Sequence, residues 1–201
     1  MRARVAAALE QLVQGGVVAA ATESLFGLLV DATRPDALDC LFALKPRADK
    51  GMPLILPDRR AWLDLVVEVP EAAARLAAAF WPGPLTIALP ARPELDPRLV
   101  HDGTVAVRLP GECPAAELVK SFGKPLTATS ANPTGQPPTA SSAVVRAAFP
   151  AAVANGRLFV MDDTARGGAP STVVVVRGDR VEIVRPGAIR RALVERVAGS
   201  G

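Results

Sequence analysis

The sequence predicts an α/β protein in which a mixed sheet is covered by helices, and three observations predict it. Segments with the apolar spacing of amphipathic helices alternate with short apolar runs of strand length along the whole chain. Those runs are continuous in Val, Leu, Ile and Ala rather than alternating with polar residues, the pattern of strands covered on both faces. Connections are short and rich in Pro and Gly, with no repeat and no low-complexity linker, so residues 1–201 are expected to form one domain.

Residues 3–14 place Val5, Leu9, Leu12 and Val13 at helical spacing, and Gly15-Gly16 stops that helix. Residues 17–21 read as a short buried strand. The next segment, Thr22-Glu23-Ser24-Leu25-Phe26-Gly27, reads as a polar turn carrying a helix N-cap. Pro35 suits the first turn of a helix that runs to about Leu44. Residues 53–56 read as a strand and 71–80 as an Ala-rich helix. Phe80-Trp81-Pro82-Gly83-Pro84 is a rigid turn with an aromatic anchor for packing. Strands are expected at 85–89 and 104–109. A helix at 114–122 stops at Gly123, and a strand at 125–128 leads into Ser130. Ser141 and Ser142 can cap a helix ending at Phe149. Residues 172–176 and 181–184 read as a hairpin around Gly178-Asp179, and 188–198 as a final helix.

Composition narrows the chemistry. Half of the residues are hydrophobic, about a fifth are charged, and the net charge is +3, a mild basic bias that suits anionic small molecules or RNA. Two cysteines, Cys40 and Cys113, are too few for a disulfide scaffold and read as reduced and structural. With one histidine, His101, and no tyrosine, His-based triads and multi-His metal sites are excluded. His101 sits in a Val-His-Asp-Gly loop and reads as solvated. Glu10, Gln11 and Gln14 interrupt any signal-like apolar stretch near the start, and no run reaches the ~18 apolar residues of a membrane span. A cytoplasmic location is expected, with no membrane partner.

GxxxxGK[ST], GxGxxG and GxSxG are all missing, so a nucleotide site would have to come from scattered side chains. Two polar segments fit that role, Lys45-Pro46-Arg47 after a helix and Ser130-Ala131-Asn132 after a strand. Arg108 and Arg185 each fall at a strand end, so these cations can converge on one crevice. The chain has four Lys among its 23 basic residues, and Lys45 and Lys50 flank one six-residue loop. A compact ammonium on a phosphate is one reason to keep Lys there. Ser171-Thr172, after a Gly-Gly-Ala-Pro run, reads either as a turn or as hydroxyls facing a ligand.

Taken in order, several segments resemble the YrdC-domain family: Thr22-Glu23-Ser24-Leu25-Phe26-Gly27-Leu28, Lys45-Pro46-Arg47, Trp81-Pro82-Gly83-Pro84-Leu85-Thr86, Val105-Ala106-Val107-Arg108, Lys124-Pro125-Leu126-Thr127-Ala128-Thr129-Ser130-Ala131-Asn132, Ser171-Thr172-Val173 and Arg185-Pro186-Gly187-Ala188. The resemblance spans about residues 8–190 and is similar to the single-domain bacterial form. It implies a twisted mixed sheet flanked by helices, with a large basic concavity. The implied activity is synthesis of L-threonylcarbamoyladenylate and pyrophosphate from L-threonine, bicarbonate or CO2, and ATP, for the t6A modification at position 37 of tRNA. It also implies Mg2+ with the ATP, a downstream threonylcarbamoyl transferase complex, and tRNA as a candidate partner. By the same resemblance, Lys45 and Arg47 are the catalytic pair. ATP falls to Lys45, Arg47, Ser130, Asn132 and Arg185, and threonine to Thr22, Arg108 and Ser171. Three positions depart from the usual pattern: Ala21 and Ala48 stand where most members have Pro, and Phe26 stands where Tyr is common. An RNA-binding module without synthase activity is the alternative, although aromatics for base stacking are only 4% of residues. A carbamoyl-adenylate handler, as in hydrogenase maturation, would bring acylphosphatase-like and zinc-finger segments that this sequence does not show.

Overall fold

The computed structural model describes residues 2–46 and 51–199. In chain order these hold α1 (Arg2–Val13), β1 (Val17–Ala21), β2 (Phe26–Leu29), α2 (Pro35–Leu44), β3 (Leu54–Ile55), α3 (Glu71–Phe80), β4 (Leu85–Pro90), β5 (Val100–His101) and β6 (Thr104–Arg108). There follow α4 (Pro114–Phe122), β7 (Leu126–Thr127), β8 (Thr129–Ser130), α5 (Ser142–Ala148), α6 (Pro150–Ala154), β9 (Leu158–Val160), β10 (Thr172–Arg177), β11 (Arg180–Arg185) and α7 (Arg191–Ala198). Short 3-10 turns occupy Arg60–Asp64 and Pro97–Leu99.

Two sheets form where the sequence suggested one. The smaller runs β8-β2-β1-β9, and the larger runs β11-β10-β4-β6-β3-β7 with β5 laid on β6. Both are mixed: β1 pairs parallel with β9 and antiparallel with β2, while β4 pairs parallel with β10 and antiparallel with β6. From β7 to β8 the chain passes from the larger sheet to the smaller through a single residue, Ala128, whose N–H donates to Pro53 O at 2.8 Å. Beside that crossing, Thr127 N donates to Val30 O at 3.0 Å and Thr127 Oγ1 accepts from Val30 N at 3.0 Å. On the far side of Ser130, Ala131 N donates to Phe26 O at 2.9 Å, so the residues before and after Ser130 are both fixed by backbone bonds.

Burial explains why these segments fold. β1 is buried along its whole length, and Phe26, Leu28 and Leu29 of β2 are sealed. On one side α1 and α4 cover the smaller sheet, where Val5, Ala8 and Leu12 meet Val18, Ala20, Ala115, Leu118 and Val119. Each such Leu or Val contributes about 1.5–3 kcal/mol on burial. α3 and α7 lie together, and the guanidinium of Arg75 closes the last turn of α7 by donating to Ala198 O at 2.7 Å. The hairpin β10–β11 alternates in burial and has an exposed edge, so the expectation of full cover on both faces fails there.

Several local readings hold. Gly15 and Gly123 are left-handed at φ 80° and 76°, which stops α1 and α4 as glycine allows. Trp81 packs against Trp62 at 5.1 Å and donates from Nε1 to Leu85 O at 2.7 Å. Others change. The Thr22 turn opens β2, not a helix. Ser141 stands at the N-cap of α5 but makes no capping bond with its side chain; its N–H instead takes Thr139 Oγ1 at 3.1 Å. Among the described residues no helix is long and apolar enough to cross a membrane.

Candidate active site

Five of the candidate residues line one cavity of about 280 Å3: Thr22, Arg108, Ser130, Ser171 and Arg185, with Glu23 as a sixth polar neighbour. Each arrives from a strand end. Thr22 follows β1, Arg108 closes β6, Ser130 ends β8, Ser171 precedes β10 and Arg185 closes β11. Strand ends from both sheets meet at this spot, so convergence on a crevice is observed.

The hydroxyls are already engaged. Thr22 Oγ1 donates to Leu25 O at 2.7 Å and accepts from Leu25 N at 3.3 Å, closing the turn on itself. Ser171 Oγ lies 2.9 Å from Thr86 Oγ1 and takes Arg185 Nη2 at 3.0 Å. The same Nη2 reaches Ser171 O at 2.9 Å, so Arg185 is bound to the Ser171 turn. Its neighbour Thr172 faces the other way. Fully buried, it exchanges hydrogen bonds with Ile189 at 2.9 and 3.0 Å. The Ser171-Thr172 pair thus divides into one cavity hydroxyl and one core hydroxyl.

Arg108 is held at two points. Its Nε donates to Gly83 O at 2.9 Å, and its Nη2 lies 2.5 Å from Glu23 Oε1. Glu23 Oε1 also accepts from Gly111 N at 2.7 Å. Burial, and secondarily the charge of Arg108, pull the Arg185 guanidinium below its ordinary pKa. Arg185 nevertheless remains a cation at any physiological pH. This cavity holds two guanidiniums and one carboxylate, with Arg108 paired to Glu23 and Arg185 bound to Ser171.

Lys45 stands one layer behind. It caps the C-terminus of α2, which favours a cation, and it is 6% exposed. Its Nζ donates to Ser130 O at 2.6 Å, Ser130 Oγ at 3.1 Å and Asn132 Oδ1 at 3.4 Å. Lys-x-Arg and Ser-x-Asn, 85 residues apart, are therefore in contact through Lys45 and Ser130. The expectation that Lys45 projects into a loop gives way to a buried ammonium folded onto Ser130. Asn132 Nδ2 donates to Pro133 O at 3.0 Å and Gln136 O at 2.6 Å, which fixes the following loop. Arg47, with Ala48 and Lys50, lies outside the described residues.

A second, larger cavity of about 1110 Å3 adjoins the first and shares Thr22, Glu23 and Pro110 with it. Its lining includes the cations Arg4, Arg59, Lys120 and Arg166 and the acids Asp58, Glu112, Glu117 and Asp163, a mixed-sign rim. Cys113 lies at this junction, where burial and then Glu23 push its thiol up from 9.0 to about 11. It is unreactive at neutral pH, whereas Cys40 is exposed. His101 is exposed and lies outside both linings.

Glu23, Thr86 and the Gly83 carbonyl escaped the sequence reading. A carboxylate in a polar turn looks like a helix cap, and a carbonyl leaves no trace in side-chain chemistry. The adjacency of Glu23 to Thr22 was the one available signal.

Known proteins are similar to this chain in sequence and fold. The family model Sua5/YciO/YrdC, described as "Telomere recombination", matches residues 10–187. A protein of Halorhodospira halophila named threonylcarbamoyl-AMP synthase is 42% identical over 73% of this chain and 78% of its own. The Bacillus subtilis protein of that name is 34% identical over 98% of this chain and 57% of its own. The structure of P. abyssi Sua5 complexed with L-threonine superposes with a TM-score of 0.87 at 30% identity, covering 97% of this chain and 57% of that one. The chain thus spans just over half the length of some relatives and most of others. Fold and site define an α/β protein with a crevice, where strand ends of two mixed sheets meet, that carries two arginines, Arg108 and Arg185. The chain belongs to the Sua5/YciO/YrdC family.

Proposed function

We propose that this protein makes L-threonylcarbamoyladenylate and pyrophosphate from L-threonine, bicarbonate or CO2, and ATP. One observation carries the reading. Two guanidiniums and six hydroxyl residues, Thr22, Ser130 and Ser171 among them, line a cavity of about 280 Å3 backed by the buried Lys45–Ser130 contact, in a family whose similar members bear the synthase name. The cavity suits an amino acid, whose carboxylate takes Arg108 or Arg185 and whose hydroxyl takes a serine or threonine oxygen.

The chemistry asks for positioning and charge more than for a protein nucleophile. The neutral threonine amine bonds to the carbon of CO2, or to that of bicarbonate with loss of water, and gives a carbamate. A carbamate oxygen then bonds to the α-phosphorus of ATP, the bond from that phosphorus to the bridging oxygen breaks, and pyrophosphate leaves. Lys45 takes a phosphate oxygen in exchange for its long contact with Asn132 Oδ1. Arg47 is assigned beside it on the triphosphate by the family pattern alone. Arg185 holds the nucleotide side of the junction while steadying Ser171. Thr22, Arg108 and Ser171 hold the threonine.

Mg2+ accompanies ATP in this reading, and the donor set fits an ion carried by phosphates and water. Glu23, the one carboxylate lining the smaller cavity among the described residues, is committed to Arg108 and Gly111. When bound, the ion supplies neutralisation of phosphate charge. The product would feed tRNA t6A37 formation through a downstream transferase complex in the cytoplasm. The test is pyrophosphate release from ATP and bicarbonate with and without L-threonine. Threonine-dependent release supports the proposal, and RNA binding with no such release supports the alternative of a binding module.

A further inference from the structure

Glu23 belongs to neither the nucleotide nor the threonine set, yet it is the joint on which the cavity wall turns. Its side chain is 21% exposed and it lines both cavities. Oε1 accepts from Arg108 Nη2 at 2.5 Å and from Gly111 N at 2.7 Å, and Oε2 lies 3.8 Å from Cys113 Sγ. These bonds tie together the β1–β2 turn, the end of β6 and the segment entering α4. The fit is close, since a Cβ on Gly111 would lie 3.1 Å from Glu23 Oε1.

Arg108 is a long side chain with many rotamers. Gly83 O holds its Nε, but one contact leaves the guanidinium plane free to turn. Arg185 shares the cavity and repels it. Without an anion beside it, the Arg108 guanidinium would turn away from the like charge. Glu23 supplies that anion from the wall rather than from within the cavity, leaving the cavity side open to an anionic ligand.

We propose that Glu23 is a positioning residue, whose bonds to Arg108 and Gly111 fix the Arg108 guanidinium at the wall of the smaller cavity so that it meets an anionic substrate group. The substrate's identity as threonine rests on the synthase reading; the positioning does not.

Glu23→Gln keeps the size and an acceptor for Gly111 but loses the charge. In the ligand-free protein, the Arg108 Nε–H resonance, assigned by its loss in Arg108→Lys, is expected to exchange with water about 10-fold faster or more in Glu23→Gln. In the pyrophosphate assay, KM for L-threonine should rise about 10- to 100-fold while kcat stays within about 3-fold and KM for ATP holds. Arg108→Gln with Glu23→Gln should be no worse than Arg108→Gln alone. Unchanged Nε–H exchange, or losses that multiply in the double variant, would overturn the proposal. If Glu23→Gln does not fold, Glu23→Asp, which keeps the charge and shortens the reach, is read in the same way. A wild-type protein without threonine-dependent pyrophosphate release would remove the synthase reading, and the Nε–H exchange would still decide Glu23.

Discussion

Lys45 shows how burial changes the meaning of a residue. On the surface, a lysine after a helix is an ordinary C-terminal cation. Here its ammonium is 6% exposed and bonded to Ser130 and Asn132, so its removal touches stability as well as chemistry. Lys45→Met is expected to cost about 1–3 kcal/mol in urea unfolding, because the buried acceptors lose a charged donor. Its pyrophosphate release should fall about 30- to 1000-fold, the value of one charge-assisted contact in the transition state. A folded variant with full activity would remove Lys45 from the mechanism. Cys113 gives a pH prediction. Its folded pKa is raised from 9.0 to about 11, so between those values the unfolded chain releases a proton that the folded chain keeps. The stabilisation is complete below about pH 9 and is lost as pH rises through about 11, roughly 3 kcal/mol in all. With no tyrosine in the chain, urea midpoints at pH 8 and pH 11 should fall less in Cys113→Ala than in wild type. Lys45, Ser130 and Asn132 were legible because polar residues stand out in apolar sequence. Their contact was not, because 85 residues separate Lys45 from Ser130.

Elements with strong local signals matched their expected places. α2 opens at Pro35, α4 ends at Gly123, and the β10–β11 hairpin turns at Gly178, where φ is 57°. Elements specified by their neighbours did not announce themselves. β2 begins inside a polar turn, β8 is two residues long, and β9 is three; each exists because a partner strand lies beside it. α6 was hidden by Pro150, which sits at its first position and is separated from the end of α5 by Phe149 alone. One connection carries a sharp test. Gly187 packs so closely on the Ser171 turn that a Cβ would fall 2.4 Å from Pro170 O and 2.5 Å from Thr172 N. Both contacts are backbone atoms and cannot step aside, unlike the Gln11 side chain that faces Gly16. Gly187→Ala should destabilise by about 1–3 kcal/mol in thermal or urea unfolding. L-threonine binding, read by calorimetry, should weaken with it, because Ser171 and Arg185 move together. Unchanged binding in a folded Gly187→Ala protein would separate that turn from the ligand site.

At the scale of the molecule, the site depends on the tightest of the chain's three passages between the two sheets, from β7 to β8. β7 belongs to the larger sheet and β8 to the smaller, and Ala128 alone separates them. That crossing brings Ser130 to the strand ends bearing Arg108, Ser171 and Arg185, while β2 holds it from the other side through the Gly27–Ser130 pair. The α/β class and its ordered motifs were legible in sequence. The division into two sheets was not, because short strands do not declare which neighbour they choose. The most direct measurement is pyrophosphate release from ATP and bicarbonate by the purified protein, with and without L-threonine. The account predicts release that requires L-threonine, saturates with it, and yields threonylcarbamoyl-AMP in equal amount. ATP left intact with L-threonine present, or cleaved equally without it, would contradict it.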